Sequence, residues 1–349
     1  SILADVVLCI RKFKPDVIIC RFPTTGEGGH GHHTASAILA LAAFDAAADP
    51  SKFPEQLKHY STWQARRIFW NTYNFGSNNT TSADQLQMDV GLYNPLLGKS
   101  YGELAAESRS MHKSQGFGSA RQRGPVKEYF KFLKGDSVKQ DLFENIQAGW
   151  SRFEKGEMIT SMIDYCIKNF DPSLPQKSLP QLLNIYTAIQ KMEMGNDLGR
   201  TWKLHQLKAC EKLILACAGV WAEATAADFS GVQGENTVIT AQIINRNGSP
   251  VKLRGLQFAG DGDTLVNTDL KNNELLAFKH STPIRSDATS NPYWLEKKHG
   301  QGRYEVNDLM LRGKAENDAL LSVKFMLDIG GLAVTVDRPV VFKSVDPVK

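Results

Sequence analysis

The chain has 349 residues, 42% hydrophobic and 22% charged, the make-up of a globular protein long enough for about two or three domains. Its 41 basic and 37 acidic residues leave a net charge of +4 without a strong basic block, which argues against a nucleic-acid binder. Five cysteines without a C-x-x-C pair exclude a cysteine zinc or redox motif, and no apolar run reaches the ~18 residues of a membrane span.

Residues 2–11 read as a helix, 16–22 as a buried strand and 35–47 as an alanine-rich helix. Between the last two lies Gly26-Glu27-Gly28-Gly29-His30-Gly31-His32-His33-Thr34, which gathers three of the eight histidines in a glycine-rich loop. Open α/β sheets bind ligands where loops leave the carboxyl ends of strands and enter helices. Imidazole is the commonest metal ligand and titrates near neutral pH. The spacing is not the His-Glu-x-x-His of a zincin helix. A catalytic zinc normally takes three protein ligands plus water, and this loop offers only part of such a set. The plainer alternative is a polar surface loop with incidental histidines.

Pro50 and Pro54 break the pattern. Residues 66–71 look like a strand, read either as approaching a substrate or as a core strand flanked by Arg66 and Arg67. Residues 77–84 read as turn and 85–90 as a short alternating strand. Residues 100–114 read as a helix with Leu104, Ala105, Ser108 and Met111 on one face. His112 and Gln115 lie at its end, placed either near a site or as a helix terminus with His112 favourable to the dipole.

Gly135-Asp136-Ser137 marks a change. Amphipathic segments at about 141–155, 157–169, 179–193 and 199–223 predict a helical region that packs on the part before it. Leu204, Leu207, Cys210, Leu213, Ile214 and Cys217 form a core stripe. After Asp228, runs at 237–244, 251–258, 320–327 and 333–336 alternate with Asn247-Gly248, 260–263 and Gly330-Gly331, a texture that predicts an antiparallel β-sandwich. Asp261, Asp263 and Asn267 read as a hairpin turn rather than a calcium loop, because the EF-hand pattern is incomplete. Tyr293 and Trp294 read as buried packing before a sugar platform.

Three stretches carry a family likeness: Pro15-Asp16-Val17-Ile18-Ile19; Gly26-Glu27-x-Gly29-His30-x-x-His33; and the run from Glu103 to Gly118 with His112-Lys113-Ser114-Gln115. Together they resemble the LmbE-like deacetylases (the PIG-L family), in wording similar to large bacterial members with extra C-terminal domains. The likeness covers about residues 1–130. It implies a fold of α/β class: a partial Rossmann-like, LmbE-type domain over residues 1–134, a helical region over 135–228 and an all-β sandwich over 229–349. It makes His33 a zinc ligand and His30 the group that polarises the amide carbonyl, with Arg21, Glu27, His112 and Gln115 binding substrate. His32 stands where the family carries aspartate or a small polar residue. The family's His-Pro-Asp-Asp motif, which holds further ligands and the base, does not occur in this sequence. The expectation is that the N-terminal segment of the domain lies outside the chain, with the remaining Zn2+ ligands.

The function implied is a zinc-dependent hydrolase removing acetyl from an N-acetylated amino sugar or glycoconjugate of the GlcNAc type, in the bacterial periplasm or outside the cell. The alternative is a non-catalytic carbohydrate- or protein-binding module with an inert partial deacetylase domain. A third reading, another metal hydrolase, would need acidic ligands near the loop, where only Glu27 is close.

Overall fold

The computed structural model describes residues 1–75, 77–115, 118–259 and 263–345, and the chain divides into two compact units, Ser1–Ile146 and Gln147–Lys349. The protein is of mixed α/β class.

The first unit opens with helix α1 (Ile2–Phe13), whose first turn is capped by the Ser1 hydroxyl accepting from the Ala4 amide. It stops at Lys14, which takes a left-handed conformation and returns its amide to the Ile10 carbonyl. Strand β1 (Val17–Cys20), helix α2 (Gly31–Ala46) and strand β2 (Arg67–Thr72) follow. Two-residue strands β3 (Asn74–Phe75) and β4 (Asn78–Asn79) pair with each other. Then come β5 (Leu86–Asp89), the short hairpin β6 (Tyr93–Asn94) and β7 (Lys99–Ser100), helix α3 (Tyr101–Ser110) and β8 (Lys127–Gly135).

The main sheet has four strands in the order β1-β2-β8-β5. β1 runs parallel to β2, with Ile18 opposite Ile68 and Cys20 opposite Trp70, and the other pairings are antiparallel. Cys20, Ile68 and Phe44 pack between the sheet and α2. Phe69, Phe130 and Leu142 fill the other face. α1 lies on α2 through Val7, Ile10, Ala43 and Ala46.

Two buried arginines tie this unit together. Arg11 donates to the carbonyls of Ala46, Ala47, Asp49, Lys52 and Phe53 and to the Gln56 side chain. It therefore satisfies carbonyls at the C-terminal end of α2, which a helix leaves without partners. Arg67 does not flank its strand, as the sequence suggests; it is buried and donates to the carbonyls of Leu142 and Glu144. Arg66 is the exposed one, paired with Asp136.

α3 is shorter than expected and turns a different face inward. Ser100 and Glu103 form a capping box, and Glu103 and Ala106 are buried, while Ala105, Ser108 and Met111 are exposed. Residues 141–149 are not helical. Asn145 holds a positive φ of 61°, which a helix interior does not allow.

The second unit contains helices α4 (Gly156–Lys168), α5 (Leu179–Lys191) and α6 (Asp197–Cys217). Strands β9 (Val220–Ala226), β10 (Asn236–Asn245), β11 (Val251–Phe258), β12 (Asp263–Asp269), β13 (Leu276–Pro283), β14 (Ser322–Ile329) and β15 (Leu332–Val341) follow. They form one seven-stranded sheet in the order β12-β11-β14-β15-β9-β10-β13, antiparallel except where β15 runs parallel to β9. The helices and the sheet share one core, joining Ile159, Ile185, Ile189 and Ile214 to Ile239, Leu253 and Phe325. The helical segments thus belong to the same unit as the strands.

The helix expected over 199–223 ends at Cys217, because Gly219 has φ +66° and the Asn247 side chain donates to the Cys217 carbonyl. Val220, Ala222 and Ala224 then alternate inward as β9. Tyr293 and Trp294 sit edge to face in a half-buried turn, with the Tyr293 hydroxyl donating to the Lys314 carbonyl. Asn267 accepts from Arg254, and Asp261 lies outside the described residues.

Candidate functional site

The site is built at the carboxyl end of β1, where the chain leaves the sheet and turns into α2. Gly26 and Gly29 take φ values of +93° and +78°, a backbone that L side chains rarely adopt, so the tight path of this loop depends on them. Gly28 serves a different need: a Cβ there would stand 2.9 Å from Phe22 Cδ1 and 3.2 Å from His33 Cβ.

His30 is the N-cap of α2 and makes no side-chain capping bond, and its carbonyl receives the amides of His33 and Thr34. The amides of Gly31 and His32 find no acceptor among the described residues, so the positive end of the α2 dipole is open there.

The three imidazoles lie together. Ring centroids are 5.1 Å apart for His30 and His33, 4.5 Å for His32 and His33, and 5.5 Å for His30 and His32. His33 is the fixed member. Its ring stacks on Phe22 at 3.8 Å, and its Nδ1 lies 3.0 Å from the Gly28 carbonyl. A carbonyl can only accept, so Nδ1 carries the proton and Nε2 of the neutral ring holds the free lone pair. His30 and His32 are exposed.

Beside the loop, the Arg21 guanidinium donates to the Asn71 side-chain oxygen and lies 5.7 Å from the Tyr73 ring centroid. Asn71 in turn donates to Glu128, and Tyr73 donates its hydroxyl to the Glu27 carbonyl. The Glu27 carboxyl is held below its ordinary range, chiefly by the Thr25 hydroxyl and then by its own backbone amide. The structure thus brings Arg21, Glu27, His30 and His33 onto one loop and adjoining strand ends. Phe22, Asn71, Tyr73 and Glu128 complete the surroundings; of these only Asn71 falls in the 66–71 strand whose sequence suggests an approach to substrate.

His112 is not joined to this group by any hydrogen bond, ion pair or ring contact among the described residues. It is exposed after α3, with Nδ1 3.2 Å from the Arg109 carbonyl, which is a helix-end arrangement. Gln115 closes the following short turn, and its side chain lies outside what is described.

His33 is presented as a metal-bound histidine is, with one ring nitrogen donating to a backbone carbonyl and the other free. Among the described residues, no group of three or more His, Cys, Asp or Glu is placed to hold a metal ion. The loop therefore fits as one ligand of a zinc site and not as a whole one. Also among the described residues, no helix is long and apolar enough to cross a membrane.

A comparison of the chain with protein-family models finds no match. A comparison with curated proteins finds none either.

Proposed function

We propose that the first unit is the histidine-loop part of an LmbE-like, zinc-dependent hydrolase that removes the acetyl group from an N-acetylated amino sugar. The observation that carries the reading is the anchored His33: the Phe22 stack and the Gly28 carbonyl fix both its ring plane and its tautomer. An incidental surface histidine needs neither. On this reading the four-stranded sheet with α2 is the Rossmann-like fragment, and the seven strands of the second unit form a sandwich-type module.

Zinc, when bound, supplies a Lewis acid that activates water towards the amide. His33 contributes one ligand through Nε2. His30, beside it and at the open N-terminus of α2, donates towards the carbonyl oxygen as negative charge builds there, assisted by the helix dipole. Arg21, with donors left over from Asn71, orients the sugar, and Glu27 lines the same edge. The reading assigns no further ligand and no general base among the residues of this sequence, which contains no His-Pro-Asp-Asp.

The test is acetate release from N-acetylglucosaminides by the complete encoded protein, with and without a chelator. The reading expects release that stops on chelation and returns with zinc. Release that persists in a metal-free preparation, or none with zinc restored across simple GlcNAc glycosides and lipid-linked forms, sinks it.

A further inference from the structure

Residues 91–115 and 118–123 carry an apolar hairpin that the core of the first unit does not use. β6 and β7 pair Tyr93 with Ser100 and Asn94 with Lys99. The Asn94 side chain accepts from the amides of Leu96 and Leu97, and Gly98 at φ +64° completes the turn. Behind the hairpin, the Val90 amide donates to the Val126 carbonyl and the Gly102 amide to the Val90 carbonyl. Asp89 accepts from the amides of Gly91 and Val126. This is a built element tied to the sheet. Yet Leu96 is 94% exposed, and Leu92, Tyr93, Leu97 and Tyr101 are exposed with it. A clustered apolar patch of this kind marks an interaction surface.

The order of residues along the hairpin says which surface. Leucines occupy the turn. Tyr93 and Tyr101 stand behind them, with the Tyr101 hydroxyl 3.3 Å from the Asn94 amide nitrogen. Lys99, Arg121 and Arg123 follow, gathered by Glu107 and Glu103. Beyond the Tyr93–Ser100 rung the hairpin extends by one strand step of roughly 3.3 Å plus the turn, within the ~5–10 Å to which interfacial elements enter a bilayer. Aliphatic tip, tyrosine girdle and basic base reproduce the layers of an anionic lipid surface. Across the segment, Lys99, Arg109, Lys113, Arg121 and Arg123 stand against only Glu103 and Glu107. A second copy of the chain would bring this positive excess against itself in a two-fold contact.

We propose that this hairpin seats the protein on an anionic lipid surface, with Leu96 and Leu97 inserted and the cations at the headgroups. The idea does not rest on the hydrolase reading. It is tested by co-sedimenting the full chain with vesicles of phosphatidylcholine alone and of phosphatidylcholine with about a quarter phosphatidylglycerol. The wild type is expected to bind the anionic vesicles and to release as salt rises to about 0.5 M. The double variant L96S/L97S should bind at least about ten-fold more weakly, since two leucines no longer leave water. A thermal melt checks that the variant is folded, and the wild-type salt profile is a readout independent of it. Absence of binding to anionic vesicles, or binding that the double substitution leaves unchanged, overturns the proposal. So does sedimentation velocity showing that the wild type self-associates and the variant does not, which would make the hairpin a contact between copies.

Discussion

Arg11 donates to five backbone carbonyls and to the Gln56 side chain. It is fully buried, and burial lowers its pKa from the ordinary 12.5. Its partners are carbonyls and one carboxamide rather than a carboxylate. Removing it leaves those carbonyls buried without donors. Arg11→Met is expected to cost about 3 kcal/mol or more, since several buried carbonyls lose their donor at about 1–3 kcal/mol each. Denaturant unfolding of the full chain measures this; a loss under about 1 kcal/mol would show that water replaces the guanidinium. The role was not legible in the sequence. Arg11 reads there as a basic residue in a last helical turn, and its acceptors lie at residues 46–56.

The histidine loop was legible for the opposite reason: its glycines, imidazoles and flanking elements are contiguous. The partner of His33 was not. Phe22 is a strand-end aromatic in the sequence, and only the loop's path stacks it on the imidazole. Gly28→Ala would force that pair apart. On the hydrolase reading it should weaken zinc binding by the complete protein about ten-fold, the usual effect of disturbing a ligand's support. Unchanged affinity in a zinc competition titration would show that the stack does not orient His33.

Among the elements, hydrophobic periodicity locates those that are long and closed by turns, and fails where one element runs straight into the next. β10 and β11 lie where alternation and Asn247-Gly248 put them. β9 was hidden because Leu215-Ala216-Cys217-Ala218 leads into Val220-Trp221-Ala222-Glu223-Ala224 with no change in residue type beyond a single glycine. The break rests on Gly219 and on Asn247, which reaches back from another turn. The exposed leucines of the β6–β7 hairpin drew no notice in the sequence, since exposure is not written in residue type.

α5 and α6 carry a pH signature. Burial, with the bond to Glu211, pushes Tyr186 from its ordinary 10.0 up to about 12. Burial, with Cys166 and Glu211 nearby, pushes the Cys210 thiol from 9.0 up to about 12. In both cases the folded state holds its proton after the unfolded state has lost it. Their stabilisation is full below pH 9 and is lost as pH rises towards 12. The melting temperature should therefore fall between pH 9 and 11, and fall less steeply in Tyr186→Phe. Parallel slopes for the two proteins would place the alkaline loss elsewhere.

For the whole molecule, the hydrophobic clusters respect the division after Ile146. One core belongs wholly to residues 147–349, and three smaller ones to residues 1–146. A fragment spanning 147–349 is expected to fold alone and melt cooperatively. Broad, non-cooperative melting by circular dichroism would contradict that. Periodicity changes at about 220 and so sets the helical region apart from the strands in the sequence, whereas burial joins α4–α6 to the sheet.

On the hydrolase reading His33 and His30 divide the work of the loop, and zinc analysis with acetate release on two variants of the full-length protein separates their roles. His33→Ala should lose zinc, because it removes a ligand. His30→Ala should keep its zinc and lose turnover by about 10²–10³, the size seen when one oxyanion donor is removed. A His33→Ala protein with stoichiometric zinc and full activity would contradict the account, and zinc lost only from His30→Ala would exchange the two roles.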